Sequence, residues 1–185
     1  LAIDGDNYLG GDDFDRRLAE YFWEHLLERG YELDLDIAEN PDDEVRFALL
    51  SRVAREVKEA LTNAQHQYVG RRDIFDDQAG QPVTLDLEVG RERFEELIDD
   101  LVDQTIERCH RAVEQASEQA DVELADIDHV LLVGGSTRIP LIQRRIAEEL
   151  CGDDGARADE PLIDEPDSCV ALGAAIHASN IQGSV

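Results

Sequence analysis

Basic residues are scarce. Lys+Arg number 17 against 44 Asp+Glu, a formal net charge of −27 in 185 residues, and Lys58 is the sole lysine. A mean field of that sign repels phosphate, which excludes a chain whose main task is gripping nucleic acid or an anionic membrane. An anionic ligand would have to be held locally by a few placed cations, backbone amides or a metal ion. Cysteine is also sparse: Cys109, Cys151 and Cys169 fall in no C-x-x-C or Cys/His spacing, so neither a disulfide framework nor a zinc site is expected. A reducing cytoplasm fits best. No run reaches the ~18–20 apolar residues of a membrane span, and no basic segment leads into an apolar one at the start, so the chain reads as soluble and untargeted.

Several chemical signatures are missing too. There is no Walker A loop and no G-x-G-x-x-G. Asp4, Asp6, Asp12, Asp13 and Asp15 do not meet the EF-hand spacing and suit turn and capping roles. His25, His66, His110, His129 and His177 lie apart, and no G-x-S-x-G elbow presents a nucleophile. No metal ligand and no catalytic residue is therefore expected. Repeats and low-complexity tracts are lacking.

What is present is 42 % apolar residues, enough to fill a core. The acid surplus reads as solvated surface, of the kind a high-salt or GC-rich source produces. Leu1-Ala2-Ile3 resembles the tail of a strand cut from something longer, so the chain is expected to be a fragment. Gly10-Gly11 permits a tight turn, and Phe14, Leu18, Tyr21, Phe22 and Leu26 then fall on one helical face until Gly30. Residues 31–43 read as a loop. A second helix is expected from about Asp43 to Gln65, with a stripe at Val45, Leu49, Val53 and Val57 flanked by Leu50, Ala54 and Leu61. Strand signals follow at Tyr68-Val69, Ile74-Phe75 and the alternating Val83, Leu85, Leu87 and Val89. Phe94 to Ala116 repeats at helical spacing over the longest stretch of the chain.

Val130-Leu131-Leu132-Val133 reads as a strand buried on both faces of a parallel sheet. Gly134-Gly135-Ser136-Thr137-Arg138-Ile139-Pro140 follows, then a helix with Leu141, Ile142, Ile146 and Leu150. Ligands of open α/β sheets sit outside the carboxyl ends of strands, and glycines there let the backbone approach closely. A ligand would meet amides at Gly134 and Gly135, the Ser136 hydroxyl and the Arg138 guanidinium, which can stack on a base or clamp an anion. The plainer alternative is a turn in which Thr137 caps the helix and Arg138 is a surface cation. Lys58 and Thr62, one helical turn apart, could together meet a ribose or phosphate, or could simply face solvent. A last helix is expected from Pro166-Asp167, with Ala171, Gly173, Ala174 and Ala175 allowing close approach to a sheet.

Tyr8-Leu9-Gly10-Gly11-Asp12-Asp13-Phe14-Asp15, Leu131 to Pro140, and Pro166-Asp167-Ser168-Cys169-Val170-Ala171-Leu172-Gly173-Ala174-Ala175 together resemble the nucleotide-binding domain of Hsp70 (DnaK-type) chaperones, over nearly the whole chain. The resemblance implies an α/β fold, lobe II of an actin-like (ribonuclease H-like) ATPase: a mixed sheet with helices and a small inserted β/helix subdomain. It divides the chain into a larger subdomain, 1–40 with 118–185, and a smaller one, 41–117. It implies ATP or ADP as ligand, with Mg²⁺ in the full-length parent. On matching positions Ser136 and Arg138 would contact and stack on adenine, and Gly134 and Gly135 would lie near the ribose and first phosphate. Lys58 and Thr62 would reach the adenosine, Gly11 would lie near the phosphates, and Asp167 near the base. Implied partners are a J-domain co-chaperone, a nucleotide exchange factor and unfolded peptide clients. Arg55 departs from the pattern, which usually has Glu there, and Asp12 replaces the more usual Glu, so a divergent member is expected. The first lobe's catalytic groups are not in this chain, so it is expected to fold without hydrolysing ATP. Alternatives are a lobe of another actin-like ATPase or sugar kinase, and a non-catalytic docking module for co-chaperones.

Overall fold

A computed structural model describes residues 2–6, 9–34, 40–152, 155–163 and 168–181. Their contacts divide the chain into two compact units, one of Asn7–Leu101 and the other of Leu1–Asp6 with Val102–Val185. The sequence expectation cut at 40/41 and 117/118 instead. Within the Asn7–Leu101 unit the first helix packs on the second.

In the Asn7–Leu101 unit, α1 (Gly11–Glu28) buries Phe14, Leu18, Ala19, Phe22, Trp23 and Leu26, together with Asp15. The Gly10 N–H donates to the Asp13 carboxylate at 2.8 Å, closing the first turn. Gly30, at φ +86°, ends the helix in a conformation that costs other residues strain. The second helix, α2 (Pro41–Leu61), starts two residues before the expected Asp43. Asn40 caps it by accepting the Asp42 N–H at 3.0 Å, and Pro41 occupies the first turn, where a missing N–H costs nothing. Its buried positions are Asp43, Leu50, Val53, Ala54, Val57 and Leu61, so Val53, Val57 and the flanking Leu50, Ala54 and Leu61 face the core as expected, while Leu49 is half-buried. Val45 is exposed; this end of α2 meets α1 through Phe47, whose ring lies near that of Trp23 and which stands about 200° round the helix from Val45.

Strands β1 (His66–Arg71) and β2 (Leu85–Gly90) pair antiparallel, from His66 opposite Gly90 to Arg71 opposite Leu85. Val69, Leu85 and Val89 face the core, as does Val83 ahead of β2, whose N–H and C=O pair with Phe75 and Ile74. The turn between the strands is organised by Asp77. Its buried carboxylate accepts the N–H groups of Glu32 at 3.0 Å, Ala79 at 3.0 Å and Gln81 at 2.8 Å. These bonds, the Glu32 amide first, hold its pKa below the ordinary 3.8. A depressed folded-state pKa contributes stability above the unfolded-state value that is lost as pH falls through the folded one. The urea midpoint should therefore drop as pH falls below 3.8, and Asp77→Asn, which cannot accept at both oxygens, should flatten that drop. An unchanged pH profile in Asp77→Asn would show that these bonds are not what the acid limb reports.

The helix α3 (Arg91–Ala120) starts in this unit and continues into the other. There, α4 (Pro140–Leu150) buries Leu141, Ile146 and Leu150. Strands β3 (Leu131–Leu132) and β4 (Leu162–Ile163) pair parallel. The expected burial of β3 on both faces does not hold: Leu132 is buried, but Leu131 and Val133 are exposed at 58% and 44%. The reason is that β4 is its only strand partner among the described residues. The same applies to α5 (Cys169–Ile181), expected to pack closely on a sheet, where no residue is buried and Ala171, Gly173, Ala174 and Ala175 are open to solvent. No described helix is long and apolar enough to cross a membrane.

Candidate functional site

The residues singled out from sequence fall in both units, and each group has its own geometry. In the unit containing α4, the end of β3 opens directly into a single turn of 3-10 helix, Gly135–Arg138, which leads into α4. Gly134 sits at φ +94°, ψ +153°, a region that only glycine enters cheaply. No atom crowds the space its Cβ would occupy, so the strain comes from the backbone alone. Gly134→Ala should cost about 1–3 kcal/mol in urea denaturation. A loss well under 1 kcal/mol would mean the turn relaxes to another shape.

The Gly134 carbonyl accepts both the Thr137 N–H at 3.1 Å and the Thr137 hydroxyl at 2.7 Å. Thr137 therefore fixes the turn, and its own carbonyl accepts from Gln143 Nε2 at 2.8 Å. Ser136 is half-buried, and Arg138 is exposed at the end of the turn. Gly134, Gly135, Ser136 and Arg138 are thus brought together at the carboxyl end of a strand. Asp167, expected beside them, lies outside the described residues.

In the Asn7–Leu101 unit, Gly11 and Lys58 meet: Lys58 Nζ donates to the Gly11 carbonyl at 2.8 Å. The same ammonium lies 2.7 Å from Asp15 Oδ1. Asp15 Oδ2 accepts from Arg55 Nε at 2.9 Å, and Arg55 reaches Asp12 with its other arm. Asp15, first, and Asp12 hold the Arg55 pKa above its ordinary value. Thr62 caps the end of α2 and turns its hydroxyl back to the Glu59 carbonyl at 2.7 Å. Arg91 fastens that end by donating to the carbonyls of Leu61 at 2.7 Å and Thr62 at 3.2 Å.

Asp15 is expected from sequence to serve in a turn or cap, but it is buried within α1. Its signal was present in the helical spacing: positions 15, 18, 22 and 26 share one face, so a carboxylate at 15 must be buried with Leu18, Phe22 and Leu26. A buried carboxylate needs a cation, and the single lysine of the chain supplies one. Cys109 and Cys151 have thiol pKa values pushed up by burial, which keeps them inert. Among the described residues no group of three His, Cys, Asp or Glu could hold a metal ion.

In open α/β sheets ligands bind outside the carboxyl ends of strands, the place in the fold where this glycine-opened turn follows β3. The family model described as Hsp70 protein matches residues 1–185. The chain belongs to the Hsp70 family, and the family carries with it the actin-like ATPase fold and a chaperone ATPase domain. Domains of this family in general bind ATP or ADP with Mg²⁺ and work with J-domain proteins, exchange factors and peptide clients.

Proposed function

We propose that this chain is the adenine-nucleotide-binding second lobe of an Hsp70-type ATPase domain, and that in the full protein nucleotide state sets the angle between lobes and thereby controls peptide binding. The observation that carries the reading is the end of β3. Gly134 and Gly135, which carry no side chains, are followed by Ser136 and Arg138 in the turn that ends β3, all within a chain that matches the family over residues 1–185. In this reading Arg138 stacks on adenine, Ser136 hydrogen-bonds it, and the Gly134 and Gly135 amides approach the ribose and first phosphate. Lys58 and Thr62 reach the adenosine, with Gly11 near the phosphates and Asp167 near the base. Magnesium, when bound with the nucleotide, neutralises phosphate charge.

Catalysis needs donors and metal ligands aimed at the γ-phosphate, and the residues assigned here bind and orient without supplying them. The J-domain co-chaperone, the exchange factor, unfolded peptide clients and a cytoplasmic setting belong to the same proposal. Calorimetric titration with ADP and ATP tests it. The expected result is weak heat, abolished by Arg138→Ala, with no ATP turnover above background. Absence of heat at millimolar ADP and ATP would overturn the reading in favour of a non-catalytic docking module. Turnover lost on Arg138→Ala would show that the chain is catalytic by itself.

A further inference from the structure

Asp15 carries two cations on one buried carboxylate, and the two are held differently. Its side chain is 4% exposed, with Lys58 on Oδ1 at 2.7 Å and Arg55 on Oδ2 at 2.9 Å. Arg55 is further tied to Asp12 and stands half in solvent, whereas Lys58, 12% exposed, has the neutral Gly11 carbonyl as its second partner among the described residues. A buried carboxylate left without a cation is strongly unfavourable. If Lys58 were its only partner, turning the ammonium toward any other anion would strand that charge. Arg55 removes the obstacle, because its planar fork spans two carboxylates at once and keeps Asp15 neutralised from the solvent side. Lysine is the partner suited to moving, with a rotatable stem and three equivalent donors.

We propose that Arg55 is a positioning residue: by holding Asp15, it frees the Lys58 ammonium to turn to an anionic ligand. The ligand meant is the nucleotide of the preceding section, so the inference rests on that reading for its ligand but not for the cation exchange itself. Lys58 is the only lysine, so its acylation by an amine-reactive reagent, mapped by peptide mass spectrometry, reports how freely the ammonium leaves Asp15.

Arg55→Ala leaves Lys58 as sole partner of Asp15 and should slow acylation about tenfold, the effect of roughly one strengthened charge-assisted hydrogen bond. Arg55→Gln should act in the same direction. Asp15→Asn needs no cation and should speed acylation, and the double variant Asp15→Asn with Arg55→Ala should react as fast as Asp15→Asn alone. In ADP titration the same order is expected: Arg55→Ala weakens binding and Asp15→Asn restores it. A purely structural role for Arg55 would not produce that suppression. Acylation unchanged in Arg55→Ala, or a double variant as slow as Arg55→Ala in chains with native far-ultraviolet circular dichroism, overturns the inference. If the acylation pattern holds while ADP gives no heat with any variant, the cation exchange stands and the nucleotide reading falls.

Discussion

Asp43→Ala is expected to destabilise the Asn7–Leu101 unit by about 3–5 kcal/mol, the range for breaking a buried charged pair from one side. Asp43 is fully buried, and its Oδ2 accepts the Asp34 N–H at 2.9 Å and Gln78 Nε2 at 3.1 Å while Oδ1 pairs with Arg46. One carboxylate thus joins the start of α2, the segment after α1 and the turn before β2. Alanine leaves the Asp34 amide without its acceptor and Arg46 with the Asp76 carbonyl but no carboxylate at that position. Urea denaturation followed by tryptophan fluorescence reads the change directly, because Trp23 is the only tryptophan and lies in the same unit. A loss below about 1 kcal/mol would put Asp43 in the class of exposed ion pairs and contradict its assigned role.

Trp23→Ala should cost a similar amount, about 3–5 kcal/mol, for loss of a large buried ring and the cavity it leaves. The indole is 2% exposed, lies 6.1 Å from the Phe47 ring and 6.5 Å from that of Phe75, and donates Nε1–H to the Asp34 carbonyl at 3.0 Å. Asp34 is therefore pinned through its N–H by Asp43 and through its carbonyl by Trp23. Trp23→Phe keeps most of the packing and loses the hydrogen bond, so it should fall between wild type and alanine. Far-ultraviolet circular dichroism is the readout, since the variant removes the fluorophore. Equal stability of the phenylalanine and alanine variants would mean that ring packing contributes little here. Both Asp43→Ala and Trp23→Ala should lower nucleotide binding only in proportion to the unfolded fraction, because neither residue is among those assigned to the ligand.

Much of this architecture can be read from spacing. The stripe from Phe14 to Leu26, the alternation ending at Val89 and the long repeat after Phe94 all yielded the elements expected, since each buries one regular face. The start of α2 was harder to see because Asn40-Pro41 suits a turn as well as a helix N-terminus. Val45 differs for another reason: periodicity locates a stripe, but not which edge of it the neighbouring helix covers, and α1 meets the Phe47 side. The continuous run Val130–Val133 implied two covered faces, a property that depends on neighbours and not on the run itself.

The candidate site was partly visible. Glycine at 134 followed by Ser136, Thr137 and Arg138 marks a strand-end turn, and the structure forms one; Thr137 does not cap α4, whose N-cap is Ile139 with no side-chain cap bond, but braces the turn by donating its hydroxyl to the Gly134 carbonyl. The charges around Lys58 were not visible as a group. Arg55 lies one turn before Lys58 on α2, but Gly11 and Asp15 are on α1, far away in sequence, and only packing of α1 on α2 brings all four together. Lys58 and Thr62 do lie one turn apart on α2, but the Thr62 hydroxyl is occupied by the Glu59 carbonyl instead of being aimed outward with the ammonium.

Photolabelling with 8-azido-ADP, competed by ADP and mapped by peptide mass spectrometry, asks most directly whether adenine lies at the end of β3. The expected result is label within the segment from Leu131 to Arg144, at or beside Ser136 and Arg138, removed by excess ADP and lost in Arg138→Ala. Label that ADP displaces only from elsewhere, such as the exposed apolar helix α5, would contradict it.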